Sequence, residues 1–209
     1  MTYPEVGQEY EFGEGSFTVL GPTQIRDDSN NNSVVVRLDY GDTSFLFTGD
    51  AESKEEKDII AANEDLYCDV LSVGHHGSAS STSWDFLEAV LPEYAVISCG
   101  VNNSYGHPDP DTIEKLESIE AQIFRTDLQG NIIAISDGET ITWNNVPSNG
   151  EVLYAADFVS VKEEPNDTSS TVGELGPGNQ IQVLNRNDND WATIVFNGAT
   201  TYIPVFLPE

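Results

Sequence analysis

All three histidines of this 209-residue chain lie between positions 75 and 107. Two are adjacent, in Val73-Gly74-His75-His76-Gly77-Ser78, and the third stands in Tyr105-Gly106-His107-Pro108. One helix length before the pair, the apolar run Thr43-Ser44-Phe45-Leu46-Phe47-Thr48 ends in Gly49-Asp50. A carboxylate and imidazoles at the tips of neighbouring strands are the donor types that hold divalent metal, and imidazole also moves protons near neutral pH. Gly77 permits close backbone approach. Ser78, Ser80, Ser81, Thr82 and Ser83 follow it, and such hydroxyls and helix-start N–H groups suit a phosphate.

Each of these residues also has a plainer reading. Asp50 can be the N-cap of the helix that follows, satisfying its orphan N–H groups. His75 and His76 can be polar loop residues beside a capping serine, and His107 a satisfied surface or core side chain. Convergence would separate the readings, because open α/β sheets bind ligands outside the C-terminal ends of their strands.

The elements that must position these residues are legible as alternating strands and helices. Residues 9–20 and 33–48 read as strands, with Tyr40-Gly41-Asp42-Thr43 as a turn and the Asp27–Asn32 run as a polar loop. Glu52 to Asn63 reads as a charged helix, Cys68 to Val73 as a strand, Ser83 to Leu91 as a helix capped by Thr82 or Ser83, and Tyr94 to Ser98 as a strand. Asp109 as N-cap, Pro110 at the first position and Ile113, Leu116 and Ile119 on one face predict the next helix. Strands follow at 121–125, 131–136 and 140–143. That order predicts an α/β layered domain over residues 1–145.

Asn144 to Gly150 is a Pro/Gly/Asn linker, and beyond it no helix-period segment of useful length occurs. Short strands at 151–155, 158–161, 180–184, 191–196 and 201–205 predict a small all-β barrel over residues 151–209.

Charge narrows the partners. Eight Lys+Arg against 36 Asp+Glu give a formal net charge of −28. Such a surface repels nucleic-acid backbones and anionic membranes and attracts cations, although a solvated acidic face explains the same composition. Cys68 and Cys99 each flank an apolar strand and are expected as free thiols; a disulfide requires their strands to be neighbours. No apolar run reaches the roughly 18 residues of a membrane span, and Met-Thr-Tyr-Pro-Glu-Val does not read as a signal peptide.

Asn32–Leu38, Thr48-Gly49-Asp50-Ala51-Glu52, Val73–Ser78, Tyr105–Pro108 and Arg125–Gly130 occur here in the order seen in metallo-β-lactamase-fold hydrolases. Residues 7–143 resemble the ComEC-type competence branch, whose extracytoplasmic domain is regarded as a DNA-degrading nuclease. The resemblance implies an αββα sandwich holding two divalent metal ions, zinc or manganese. It implies Asp50 as the bridging ligand, His75 or His107 completing the second metal's sphere, and His76 and His107 as catalytic contacts to the scissile phosphate. Gly77 and Ser78 would cradle that phosphate.

The family's His-x-His-x-Asp-His ligands and most of its first β-layer precede the region that begins here. The chain is therefore similar to the C-terminal half of such a hydrolase, expected to bind metal weakly or not at all and to show little or no activity as given. The implied partner is the missing N-terminal half or a dimer mate. The alternative is a non-catalytic cell-wall or protein-binding module built on a hydrolase remnant; hydrolysis of another ester is a third reading.

Residues 151–209 resemble a bacterial SH3-like domain through Val152-Leu153-Tyr154, Phe158–Val161, Val172–Gly178, Trp191-Ala192-Thr193-Ile194 and Asn197-Gly198 with Tyr202-Ile203. Such domains usually bind cell-wall peptides or partner proteins. The pair of resemblances implies an extracellular or cell-surface setting, with nucleic acid only as a substrate.

Overall fold

The computed structural model describes residues 5–63, 65–145, 147–148, 152–186, 190–197 and 199–205. The chain packs as two compact units, Met1–Asn144 and Asn145–Glu209.

In the first unit one seven-stranded sheet runs in sequence order: β1 (Glu9–Phe12), β2 (Gly15–Gly21), β3 (Val35–Tyr40), β4 (Thr43–Phe47), β5 (Val70–Ser72), β6 (Tyr94–Ile97) and β7 (Gln122–Arg125). β1 to β4 are joined antiparallel; β4 to β7 are parallel, with α1 (Ser53–Ala62), α2 (Trp84–Val90) and α3 (Pro110–Ser118) in the crossovers. Parallel neighbours need such crossovers, and the crossovers bring the ends of β4, β5 and β6 to one edge. Residues 9–20, expected as strand, form a hairpin, because Gly13 takes φ +65° and turns the chain back.

Alternation along the strands splits the sheet into two apolar faces. Val35, Leu46, Leu71, Ala95, Ile97 and Ile123 point to one side and are buried with Ile59 of α1, Phe86, Leu87 and Val90 of α2, and Leu116 of α3. The intervening residues Leu38, Phe45, Phe47, Val70 and Val96 face the other side. There a two-stranded hairpin, β8 (Ala134–Ser136) with β9 (Ile141–Trp143), covers one end. Its Trp143 ring stacks on Phe124 at 4.1 Å and lies 5.2 Å from Tyr94. The rest of that face lines an open cavity of about 590 Å³, beside which Phe12 is 69% and Phe47 43% exposed. A short helix, α4 (Thr126–Gln129), follows β7 where no helix is expected from the sequence.

The second unit is a six-stranded antiparallel sheet: β10 (Val152–Tyr154), β11 (Val159–Lys162), β12 (Thr171–Leu175), β13 (Gln180–Arg186), β14 (Trp191–Phe196) and β15 (Ala199–Pro204). Its order is β10-β13-β14-β15-β11-β12. Val161, Ile181, Val183, Ala192, Ile194 and Ile203 form a separate core. β12 is not expected from the sequence, since its Gly-Glu pair dilutes the β signal; residues 149–151 and Gly198, parts of the expected linker and turn, lie outside the described residues.

Both thiols are free: Cys68 is buried and Cys99 half-buried. Among the described residues no helix is long and apolar enough to cross a membrane.

Candidate active site at the parallel sheet edge

β4 ends at Phe47, and the chain turns at Gly49 (φ +56°), which leaves Asp50 beyond the strand. α1 starts only at Ser53, with Glu52 at the cap position and no side-chain cap bond. Asp50 therefore does not cap the helix. Its backbone N–H donates to Ser33 Oγ at 3.1 Å, which anchors the residue while its carboxylate stays 46% exposed.

After β5 the chain makes a tight turn over Gly74–Gly77 in which His75 (φ 47°, ψ 45°) and His76 (φ 58°, ψ 22°) are both left-handed. Non-glycine residues held there cost of order 1–3 kcal/mol each and persist only where the surroundings over-determine them, a pattern concentrated at functional sites. The turn hangs on several bonds. His75 N–H donates to Gly49 O at 2.9 Å, Ser78 N–H to His75 O at 2.9 Å, and Ser81 Oγ reaches Gly74 O at 2.7 Å.

The third histidine arrives from the loop after β6. Asn103 pins that loop by donating to His107 O at 2.6 Å and accepting from His107 N–H at 3.0 Å. Gly77 (φ +82°) lets the two loops meet: a Cβ there would lie 2.7 Å from Pro108 Cβ, and Asp109 N–H donates to Gly77 O at 2.8 Å. Asp109 then caps α3 at Asp111 N–H, in the manner expected from the sequence.

The result is one cluster. His76 Nε2 lies 3.5 Å from Asp50 Oδ1, the His75 and His76 rings are 6.2 Å apart between centroids, and His75 and His107 are 5.8 Å apart. His76 Nδ1 is 2.6 Å from the Ser98 carbonyl. A carbonyl only accepts, so Nδ1 carries the proton in the neutral ring; Nε2 stands beside the Asp50 carboxylate and donates to it only when the ring is protonated. Such a nitrogen can ligate a metal or take a proton. His107 and Tyr105 stack at 5.8 Å, and with His76, Ser98, Cys99 and Asn103 they line a groove of about 350 Å³.

Several participants escape sequence reasoning. Glu52 Oε1 stands 3.4 Å from His75 Nδ1 and accepts from Ser80 Oγ at 3.0 Å. Burial pushes the Glu52 carboxyl up, but hydrogen bonds from Asn30, Ser80 and Asn31 outweigh it and hold the group below its ordinary value. Its only sequence signal is its place two residues after Asp50. Ser33 is another, which the sequence offers only as the first residue of the strand expected over 33–48. Cys99 sits beside Asp127; burial foremost pushes the thiol up to about 11, so it stays protonated and a poor nucleophile.

Of the expected phosphate contacts, Ser78 is almost fully buried with its hydroxyl 3.0 Å from Ser80 Oγ, and Gly77 is buried against Pro108. Among the described residues no group of three or more His, Cys, Asp or Glu side chains is arranged to hold a metal ion. The Asp50–His76 and Glu52–His75 pairs are each two donors, and a structural or hydrolytic metal takes three or four protein ligands. The described residues thus do not by themselves fit the divalent metals of the fold family.

Residues 5–101, all within the first unit, match the family model described as the metallo-beta-lactamase superfamily. The chain is 35% identical over 127 residues to ComE operon protein 3 of Bacillus subtilis (strain 168), which covers 60% of this chain and 16% of that protein. It is 38% identical over 125 residues to Competence protein ComA of Neisseria gonorrhoeae (59% and 18%), and 36% identical over 133 residues to Recombination protein 2 of Haemophilus influenzae (63% and 16%). The chain thus spans about a sixth of the length of these relatives.

Proposed function

We propose that the first unit is one half of a metal-dependent hydrolase site, with phosphodiester cleavage as its chemistry, completed by a polypeptide layer from outside this chain. The observation that carries the reading is the convergence of Asp50, His75, His76 and His107 at one sheet edge, with both adjacent histidines held in left-handed backbone. The nuclease-like choice of substrate rests on the resemblance of residues 7–143 to the ComEC-type competence branch. Asp50, His75 and His107 are the metal donors in this reading, His76 and His107 the groups that act on the phosphate, and Gly77 and Ser78 the turn it approaches. Metal, once held by a complete sphere, would supply an activated water. The chain's own part is to orient His76 through its Nδ1 on the Ser98 carbonyl and to bring the His76 and His107 rings to 6.2 and 5.8 Å from His75.

The uncovered sheet face supports the need for a further layer. Monomeric proteins rarely leave a wide apolar patch exposed, and here exposed Phe12 and Phe47 lie beside half-buried Leu38, Phe45 and Val96 along one open cavity. We propose that an N-terminal half from outside this chain, or a dimer mate, covers it. The antiparallel second unit is consistent with an SH3-like domain that binds cell-wall peptide, and we propose that role for it.

Calorimetric titration of the chain with Mn²⁺ and Zn²⁺ tests the reading. Weak binding, weakened further by Asp50→Ala, is expected; a longer polypeptide that carries a His-x-His-x-Asp-His segment should bind tightly and hydrolyse a phosphodiester. Tight stoichiometric binding of two metals by this chain alone would overturn the half-site. The charge of −28 favours a second reading, a non-catalytic binding module. No hydrolysis by the longer polypeptide, metal-loaded, would establish it.

A further inference from the structure

Glu56 is a carboxylate on the inner face of α1, 2% exposed, and belongs to none of the motifs that mark the site in the sequence. Its two oxygens accept from the backbone N–H groups of Thr82, through a very short bond, and of Ser83 at 2.9 Å. Lys115 of α3 grips the same turn from the other side: its Nζ donates to Thr82 O at 2.7 Å and reaches Ser81 O at 3.4 Å. Thr82 itself is left-handed (φ 55°) and buried. Next to it, Ser81 Oγ lies 2.7 Å from Gly74 O and 3.0 Å from Ser78 O, the two carbonyls that bracket the His75-His76-Gly77 turn. A continuous path of polar contacts therefore runs from a buried acid on one helix and a lysine on another to both ends of the histidine turn.

We propose that Glu56 and Lys115 are positioning residues: together they clamp the Ser81–Ser83 turn, and through Ser81 they hold His75 and His76 in their left-handed, site-facing conformation. Neither touches the cluster itself. The charge pattern fits the task, since a carboxylate can accept two converging N–H groups and an ammonium can serve two carbonyls. A buried charge of either sign alone would be strongly disfavoured; set around one turn the two neutralise each other. Burial pushes the Glu56 carboxyl up, and the bonds from Ser83 and Thr82 with the nearby Lys115 charge oppose that rise. The inference rests on the histidine cluster being the site, and not on which bond it cleaves.

With three histidines in the chain, nitrogen-detected NMR of the imidazoles reads the clamp directly. In the full wild-type chain, at a pH where the ring is neutral, His76 should carry its proton on Nδ1. Glu56→Gln removes one acceptor and sets an amide NH₂ against a backbone N–H; His75 and His76 resonances should move, and His76 should shift toward a tautomer mixture. Lys115→Met should produce the same shift to a lesser degree, and it carries the test if Glu56→Gln does not fold. Ile59→Val, which trims a fully buried side chain of the same helix, controls for lost stability and should leave both rings unchanged. A folded Glu56→Gln or Lys115→Met variant with wild-type histidine signals would overturn the proposal. So would an equal shift in Ile59→Val. Because the readout needs neither metal nor substrate, failure of the clamp and failure of the hydrolase reading are separate results.

Discussion

Gly77 and Pro108 pack so closely that a single added carbon on the glycine would sit 2.7 Å from the proline Cβ. This contact welds the two histidine-bearing loops into one surface. Gly77 also needs φ +82°, so both its missing side chain and its backbone freedom are used.

Gly77→Ala should therefore cost more than an ordinary left-handed glycine. Overpacking adds about 1–3 kcal/mol to a backbone penalty of about 1 kcal/mol, for a total of roughly 2–4 kcal/mol. Gly106→Ala is the control, because Gly106 has a similar φ (+77°) and open space around it; it should lose only about 1 kcal/mol. Urea unfolding of the two variants measures the difference. Equal losses would mean that the Pro108 contact is not tight.

Asp50→Ala should leave stability nearly unchanged. Its carboxylate caps no helix and meets only a half-exposed imidazole, so the loss should stay within about 1 kcal/mol. Thermal unfolding compared with divalent-metal titration separates the roles. A large loss of stability would make Asp50 a structural residue after all.

Glu55 should make stability depend on pH. Burial foremost raises its carboxyl from 4.5 to about 7; Asp58 and Glu56 push the same way, while the Ser33 N–H bond and Arg26 oppose. Its Oε1 has no hydrogen-bond partner in the structure. A carboxyl with a raised folded value binds its proton more tightly when folded. Its stabilising contribution is present below about 4.5 and is lost as pH rises through about 7, by at most about 3 kcal/mol. Glu55→Gln mimics the protonated form. It should match the parent near pH 4 and exceed it in melting temperature at pH 8, whereas a constant difference across that range would count against the shift.

The uncovered sheet face should make itself felt in solution. The chain is expected to bind a hydrophobic dye or to self-associate, and Leu38→Ser with Phe47→Ser should weaken either behaviour. Sedimentation and dye fluorescence read this together. A monomer that takes up no dye would argue that no further layer belongs there.

Limited proteolysis should cut first between residues 145 and 151, where the chain passes from one compact unit to the other. Earlier cleavage inside either unit would contradict two independently packed bodies.

Much of this protein is determined locally and is therefore visible in its sequence. Period-two alternation in Thr43–Phe47 sets which side chains reach the core. Asp109-Pro110 starts α3 by a capping bond and a fixed φ that need no distant partner. The Gly-Asp and Gly-His-His-Gly punctuation at strand ends places the candidate site for the same reason. What the sequence could not decide are contacts between residues far apart in the chain. Glu56 reaches Thr82 across 26 positions, and Ser33 holds Asp50 across 17. Neither residue type differs from dozens of other acids and serines here until the crossover helices bring them together. The left-handed backbone of His75 and His76 belongs to the same class, because local energetics disfavour it and only the surrounding packed turn makes it the lowest state available.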